Sequence, residues 1–179
     1  MHEAVDKILV SQEAIMKRCQ ELGEEISDDY RKKNTVPYVV ALLKGSVPFL
    51  AELVKHIDLD IQFDFMDVSS YEGTESIGDI KINKDLDCSV KGLSILLVED
   101  IVDTGRTLKE VTKLLKNKGA EDVKVVSLLD KPDRRTVEIE ADYVGFEIPN
   151  EFVIGFGLDY DQKYRNLPFV GVLKREYYE

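Results

Sequence analysis

The stretch that decides the fold runs from Leu93 to Leu129. It opens with Leu93-Ser94-Ile95-Leu96-Leu97-Val98, an unbroken apolar run with the character of a strand buried on both faces. The run ends in an acidic pair, Glu99-Asp100. A short turn, Asp103-Thr104-Gly105-Arg106-Thr107, then leads into a helix predicted over Thr107 to Lys118. Leu108, Val111, Leu114 and Leu115 form one stripe of that helix, its last turns carry Lys113, Lys116 and Lys118, and Gly119 stops it. Val123 to Leu129 is the next buried strand. Strand, helix and strand within about 35 residues make a βαβ unit with parallel pairing.

The same alternation continues on both sides. Ser11 caps a predicted helix reaching about Tyr30, with Ile15, Cys19 and Leu22 on its inner face. Val36 to Leu43 is another doubly buried strand, after which Ser46 is predicted to cap a helix carrying Pro48 in its first turn. Ile61 to Met66 alternates with period two and predicts a strand. Ser69 to Asp79 is polar, holds Gly73 and Gly78, and predicts a loop. Short strands are expected at Tyr143–Phe146, Phe152–Gly155 and Phe169–Leu173. Strands alternating with helices define an α/β fold with helices on both faces of the sheet. No repeat, low-complexity segment or linker divides the 179 residues, so one domain is expected.

Composition removes several functions. The chain carries 24 basic and 35 acidic residues, a net charge of −11. Such a chain is poorly suited to general nucleic-acid binding or to an anionic membrane surface. Two cysteines, Cys19 and Cys88, and two histidines, His2 and His56, argue against a zinc site or a Cys-His nucleophile. Reduced thiols and the lack of a signal-peptide pattern at residues 1–6 fit a cytoplasmic protein. No apolar stretch approaches the roughly 18 residues that suggest a membrane span.

The chemistry concentrates where the first strand meets the turn. Ligands of open α/β sheets bind at the carboxyl ends of strands. A helix start preceded by Thr104, Gly105 and Thr107 offers N–H donors, hydroxyls and a positive dipole end, all suited to a phosphate. Glu99 and Asp100 cannot bind that phosphate directly. They can hold Mg²⁺ through water or accept hydrogen bonds from sugar hydroxyls. A helix cap and a solvated strand end would account for each piece separately, but not for the acidic pair and the second threonine together. The pattern is not a Walker A loop.

Val98-Glu-Asp-Ile-Val-Asp-Thr-Gly-Arg-Thr107 resembles the phosphoribosyl-diphosphate (PRPP) motif of the type I phosphoribosyltransferases. Four further segments, in order, are similar to the branch of that family acting on hypoxanthine and guanine. These are Leu42-Leu-Lys-Gly-Ser46, Ser70-Tyr71, Lys131, and Phe152-Val153 with Leu158-Asp159-Tyr160 and Arg165. Ser46 departs from the glycine of mammalian members, which makes this loop less permissive.

The resemblance implies a mostly parallel central sheet with helices on both faces. A small hood would come from the N-terminal segment and residues from about 143 to 179. It implies transfer of a phosphoribosyl group from PRPP to hypoxanthine or guanine, giving IMP or GMP and diphosphate, with Mg²⁺ as cofactor and a homodimeric or homotetrameric assembly. By the same resemblance, Glu99 and Asp100 contact ribose hydroxyls and the metal's hydration shell. Asp103 takes the proton of purine N7, and residues 104 to 107, Arg106 included, hold the 5′-phosphate. Lys44 and Gly45 hold diphosphate, with a cis bond before Lys44, and Arg165 grips its far end. Lys131 donates to purine O6, Phe152 stacks on the ring, the Val153 backbone reads its edge, and Asp159 lies by the purine and near a second Mg²⁺. Ser70 and Tyr71 belong to a lid over Ser69–Asp79. Tyr143, Tyr177 and Tyr178 are assigned to packing.

Two other readings compete. A regulator of the same fold that binds RNA is disfavoured by the acidic charge and by Lys131 and Phe152-Val153. A phosphoacceptor signalling domain would leave Lys44-Gly45 and the Asp103-Thr-Gly turn unexplained.

Overall fold

The computed structural model describes residues 2–70 and 80–178. Its elements in chain order are β1 (Val5–Val10), α1 (Gln12–Lys32), β2 (Tyr38–Leu42), α2 (Val47–Leu53), β3 (Gln62–Ser70), β4 (Ile80–Lys84), β5 (Ser94–Val102), α3 (Arg106–Asn117), β6 (Asp122–Asp130), β7 (Tyr143–Glu147), β8 (Val153–Ile154) and β9 (Val170–Leu173). Six strands form the large sheet, in the order β4-β3-β2-β5-β6-β7. All pair in parallel except the edge strand β4, which is antiparallel to β3. β1, β9 and β8 form a separate antiparallel sheet, the hood.

The apolar runs alternate between two helical layers. Val39, Ala41, Leu96 and Val98 join the core that holds Ile15, Leu22 and Ile26 of α1 and Phe49, Leu50 and Leu53 of α2. Val40, Leu42, Ile95 and Leu97 turn the other way, onto Leu108, Val111 and Leu115 of α3. Each fully buried aliphatic side chain contributes about 1.5–3 kcal/mol. Strands apolar on both faces are therefore stable only in this sandwiched position. Ser11 caps α1 as expected, its hydroxyl accepting from Ala14 N at 3.2 Å. Cys19 lies in the core, where burial pushes its thiol up to about 12 and leaves it inert.

Several expectations need correction. Ser46 makes no side-chain cap on α2; its hydroxyl instead donates back to the Leu42 carbonyl. β5 does not end at the acidic pair but continues to Val102, because Ile101 and Val102 still pair with Leu129 and Asp130 of β6. β3 runs to Ser70 because β4 pairs with its second half, so residues 69 and 70 belong to a strand. β7 closes the edge of the large sheet and is not part of the hood. The rest of the expected lid, Tyr71 to Asp79, lies outside the described residues, as does any placement of the Ser70 side chain.

Candidate active site

The order of the large sheet reverses between β2 and β5: from β2 the chain moves outward to β3, whereas β5 leads the other way to β6 and β7. This is the switch point at which open α/β sheets bind ligands. Two loops leave the carboxyl ends of these strands. After β2 comes Leu43-Lys44-Gly45-Ser46, with a cis Leu43–Lys44 peptide as the resemblance implied. Lys44 is exposed and Gly45 buried. A Cβ on Gly45 would lie 1.7 Å from Asp100 Oδ2. Only a residue without a side chain allows the loop to close against the acidic pair.

After β5 comes the turn Asp103-Thr104-Gly105, and Gly105 is the N-terminal cap of α3, at φ 81°. A left-handed backbone suits glycine, and a Cβ here would also meet Ile139 Cγ2 at 2.3 Å. With no capping side chain on Gly105, the first N–H groups of α3 remain donors for an anion. Thr104 Oγ1 lies 3.5 Å from Arg106 N, too long for a strong bond. Thr107 is half-buried at the start of the helix. The Arg106 side chain turns away, its Nε donating to Thr136 Oγ1 at 3.1 Å.

Burial pushes the Glu99 carboxyl well above the usual carboxylate range, and the neighbouring Asp100 charge adds to it. Burial also raises Asp100, against the opposing influence of bonds that include one from Ile101 N at 2.8 Å. Carboxylates crowded in this way suit a divalent cation. No group of three or more His, Cys, Asp or Glu gathers for a metal among the described residues, so water or substrate oxygens would complete its shell. Asp159 accepts from Gln162 N at 2.9 Å and pairs with Arg165 at 3.1 Å. Arg165 also donates to the Gly157 carbonyl at 2.7 Å, which fixes its guanidinium in the hood.

Beside the turn opens a cleft of about 450 Å³. Asp103, Lys131, Phe152, Val153 and Asp159 all line it, as do Arg134, Asn150 and Glu151, to which the sequence assigned no role, and Tyr178, assigned to packing. Lys131 is 8% exposed and donates to the Glu151 carbonyl at 2.7 Å. Burial draws its ammonium below the usual lysine range. Phe152, at the rim, is held by Tyr160 edge-on and by Tyr178 face-on. Tyr178 packs, as expected of the C-terminal tyrosines, and the surface it packs against is the Phe152 ring at the rim of the cleft; nothing in the sequence around it marks a pocket residue. A wider groove of about 970 Å³ is lined by residues 135–141 and by parts of β6 and β7. Its lining carboxylates, Asp130, Glu138, Glu140 and Glu147, suit a phosphorylated ligand poorly.

A phosphate-ready helix start, a crowded carboxylate pair and an aromatic cleft meeting at one switch point are the parts of a nucleotide-forming transferase. Residues 6–161 match the model of the phosphoribosyl transferase domain, and the chain belongs to that family. Within it, the similarity is to the hypoxanthine-guanine enzymes. A hypoxanthine-guanine phosphoribosyltransferase of Lactococcus lactis is 58% identical over 179 residues, covering 99% of this chain and 96% of its own. The crystal structure of a hypoxanthine phosphoribosyltransferase from Staphylococcus aureus is 47% identical with a TM-score of 0.93, covering 100% of this chain and 97% of its own. The solved structure of the hypoxanthine phosphoribosyltransferase from Trypanosoma cruzi, in complex with the product IMP, is 40% identical with a TM-score of 0.94 and covers 99% of both chains. No helix among the described residues is long and apolar enough to cross a membrane.

Proposed function

We propose that this chain transfers the 5-phosphoribosyl group of PRPP to N9 of hypoxanthine or guanine, forming IMP or GMP and diphosphate, with Mg²⁺ as cofactor. One observation carries the reading. Asp103, Lys131 and Phe152 line a single cleft, and Asp103 also begins the turn that opens α3 at the switch point.

In this reading the first N–H groups of α3, with the Thr104 and Thr107 hydroxyls, hold the 5′-phosphate. Glu99 and Asp100 hold the ribose hydroxyls and the cation's hydration shell. Lys44 and Gly45 offer backbone N–H groups to diphosphate, and Arg165 grips its far end. The purine lies against Phe152, with Lys131 donating to O6 and the Val153 backbone at its edge. Purine N9 bonds to C1′ as the C1′–O bond breaks, and that electron pair leaves with diphosphate. The N7 proton passes to Asp103, a general-base contribution of about 10²–10⁴ in rate. Mg²⁺, when bound, neutralises charge on the departing diphosphate.

The test is a steady-state assay of nucleotide formation from PRPP with hypoxanthine, guanine and adenine, with and without Mg²⁺. Hypoxanthine or guanine should turn over only with Mg²⁺. Lys131 offers only donors, and adenine carries an amino group in place of O6, so adenine should be rejected by roughly 10⁴ in kcat/KM. Equal use of adenine would overturn the Lys131 assignment.

A further inference from the structure

Resting on the proposed transfer reaction, we infer that Arg134 is a positioning residue for Asp103, holding one carboxylate oxygen so that the other meets purine N7. Arg134 Nε donates to Asp103 Oδ1 at 3.0 Å, and both side chains line the purine cleft. With Oδ1 taken, Oδ2 is the oxygen left for the proton. A carboxylate at a loop tip otherwise turns freely about its side-chain torsions, and an N–H bond from a planar guanidinium restricts that rotation.

The bond belongs to a larger seam. The segment from Lys131 to Thr136 runs along the turn after β5 and is bonded to it at successive steps. Lys131 N donates to the Val102 carbonyl at 2.9 Å, and Thr136 N donates to Thr104 at 3.1 Å. Arg135 Nη1 donates to the Asp103 carbonyl at 2.6 Å, and its other end pairs with Asp130. Arg135 thus fixes the backbone of residue 103, and Arg134 fixes its carboxylate. Arg134 N in turn donates to the Lys131 carbonyl at 3.0 Å. The lysine assigned to purine O6 and the arginine on the base are therefore two ends of one short turn. A purine bound by Lys131 meets an Asp103 already oriented.

The Arg134–Asp103 pair has side chains 46% and 42% exposed. Exposed pairs contribute about 0–1 kcal/mol to stability, so breaking this one should leave the fold intact. Its effect is expected in the rate.

The experiment measures kcat and KM for the full chain with PRPP and hypoxanthine, in wild type, Arg134→Ala, Arg134→Gln, Arg134→Lys, Asp103→Asn and the Arg134→Ala/Asp103→Asn double variant. Arg134→Ala should lower kcat roughly 10- to 100-fold, the scale of loss when a reacting group is misplaced by about 1 Å. KM for PRPP should stay unchanged and Arg134→Lys should recover part of the rate. In the Asp103→Asn background, Arg134→Ala should cost nothing further, because the group it positions no longer accepts the proton. Multiplicative losses in the double variant, or an unchanged kcat in both Arg134→Ala and Arg134→Gln, would overturn the inference. Wild-type protein unable to form IMP would overturn the reaction itself, and this inference with it.

Discussion

Phe152 and Tyr178 lie ring on ring, their centroids 5.0 Å apart and their planes inclined by 21°. The contact joins the residue before β8 to one five positions beyond the end of β9, so the turn after β9 reaches back to the cleft lined by Asp103 and Lys131. An offset aromatic pair contributes about 0.5–1.5 kcal/mol beyond its buried area. Tyr178→Ala should therefore raise KM for hypoxanthine by roughly 3- to 10-fold, while KM for PRPP stays constant. Tyr178→Phe, which keeps the ring, should behave as wild type. Steady-state kinetics with each substrate varied in turn check both, and an unmoved purine KM in Tyr178→Ala would reduce Tyr178 to a packing residue.

Asp103→Asn keeps the size and most of the shape of the side chain and removes its capacity to take a proton. We expect kcat to fall by about 10²–10⁴. Binding of PRPP with Mg²⁺, measured by titration calorimetry, should stay near wild type, because the N–H groups of α3 do not depend on that carboxylate. A variant retaining more than half of the wild-type kcat would remove Asp103 from the proton-accepting role.

The Lys131 ammonium, drawn down by burial, should lose its proton nearer to neutral pH than an ordinary lysine does. As pH rises, the charged donor to O6 disappears, so kcat/KM for hypoxanthine should decline on an alkaline limb below the normal lysine range. Arginine holds its charge throughout the accessible range, so Lys131→Arg, although less active at neutral pH, should carry that limb to higher pH in a normalised profile. A limb left in the same place would belong to the purine and not to the protein.

Gly45→Ala places a methyl group 1.7 Å from Asp100 Oδ2, and loop and carboxylate cannot both keep their positions. Overpacking of this kind costs about 1–3 kcal/mol. We expect KM for PRPP to rise by about 10- to 100-fold, with circular dichroism unchanged. Wild-type kinetics in this variant would show that the loop after β2 tolerates displacement.

The large sheet was legible because its strands announce themselves. The apolar runs ending at Leu43, Val98 and Leu129 could be stable only between two layers of helices, and they lie there. The turn at Asp103–Thr107 was equally plain, since its residue types have few other uses together. β1 and β4 were missed for a physical reason. β4 is an edge strand whose five residues, Ile80–Lys84, include no fully buried position. β1 buries only its two ends, so its pattern carries no period. The cleft contacts of Tyr178 and Arg134 were not legible because each is made to a residue distant in sequence, Phe152 and Asp103, and neither lies in a local pattern.

The hood sheet is ordered β1-β9-β8, so its central strand is the last of the three to be made. The large sheet, by contrast, has all its strands once Glu147 has emerged. A growing chain can therefore complete the phosphate turn and its supporting layers while β1 and β8 still wait for a common partner. Lys174 N then closes the hood on the Ala4 carbonyl at 2.9 Å, nearly the whole length of the chain away. During synthesis the turn at Asp103–Thr107 and Lys131 precede the hood, and the wall formed by Phe152 and Tyr178, which completes the cleft around them, comes after both.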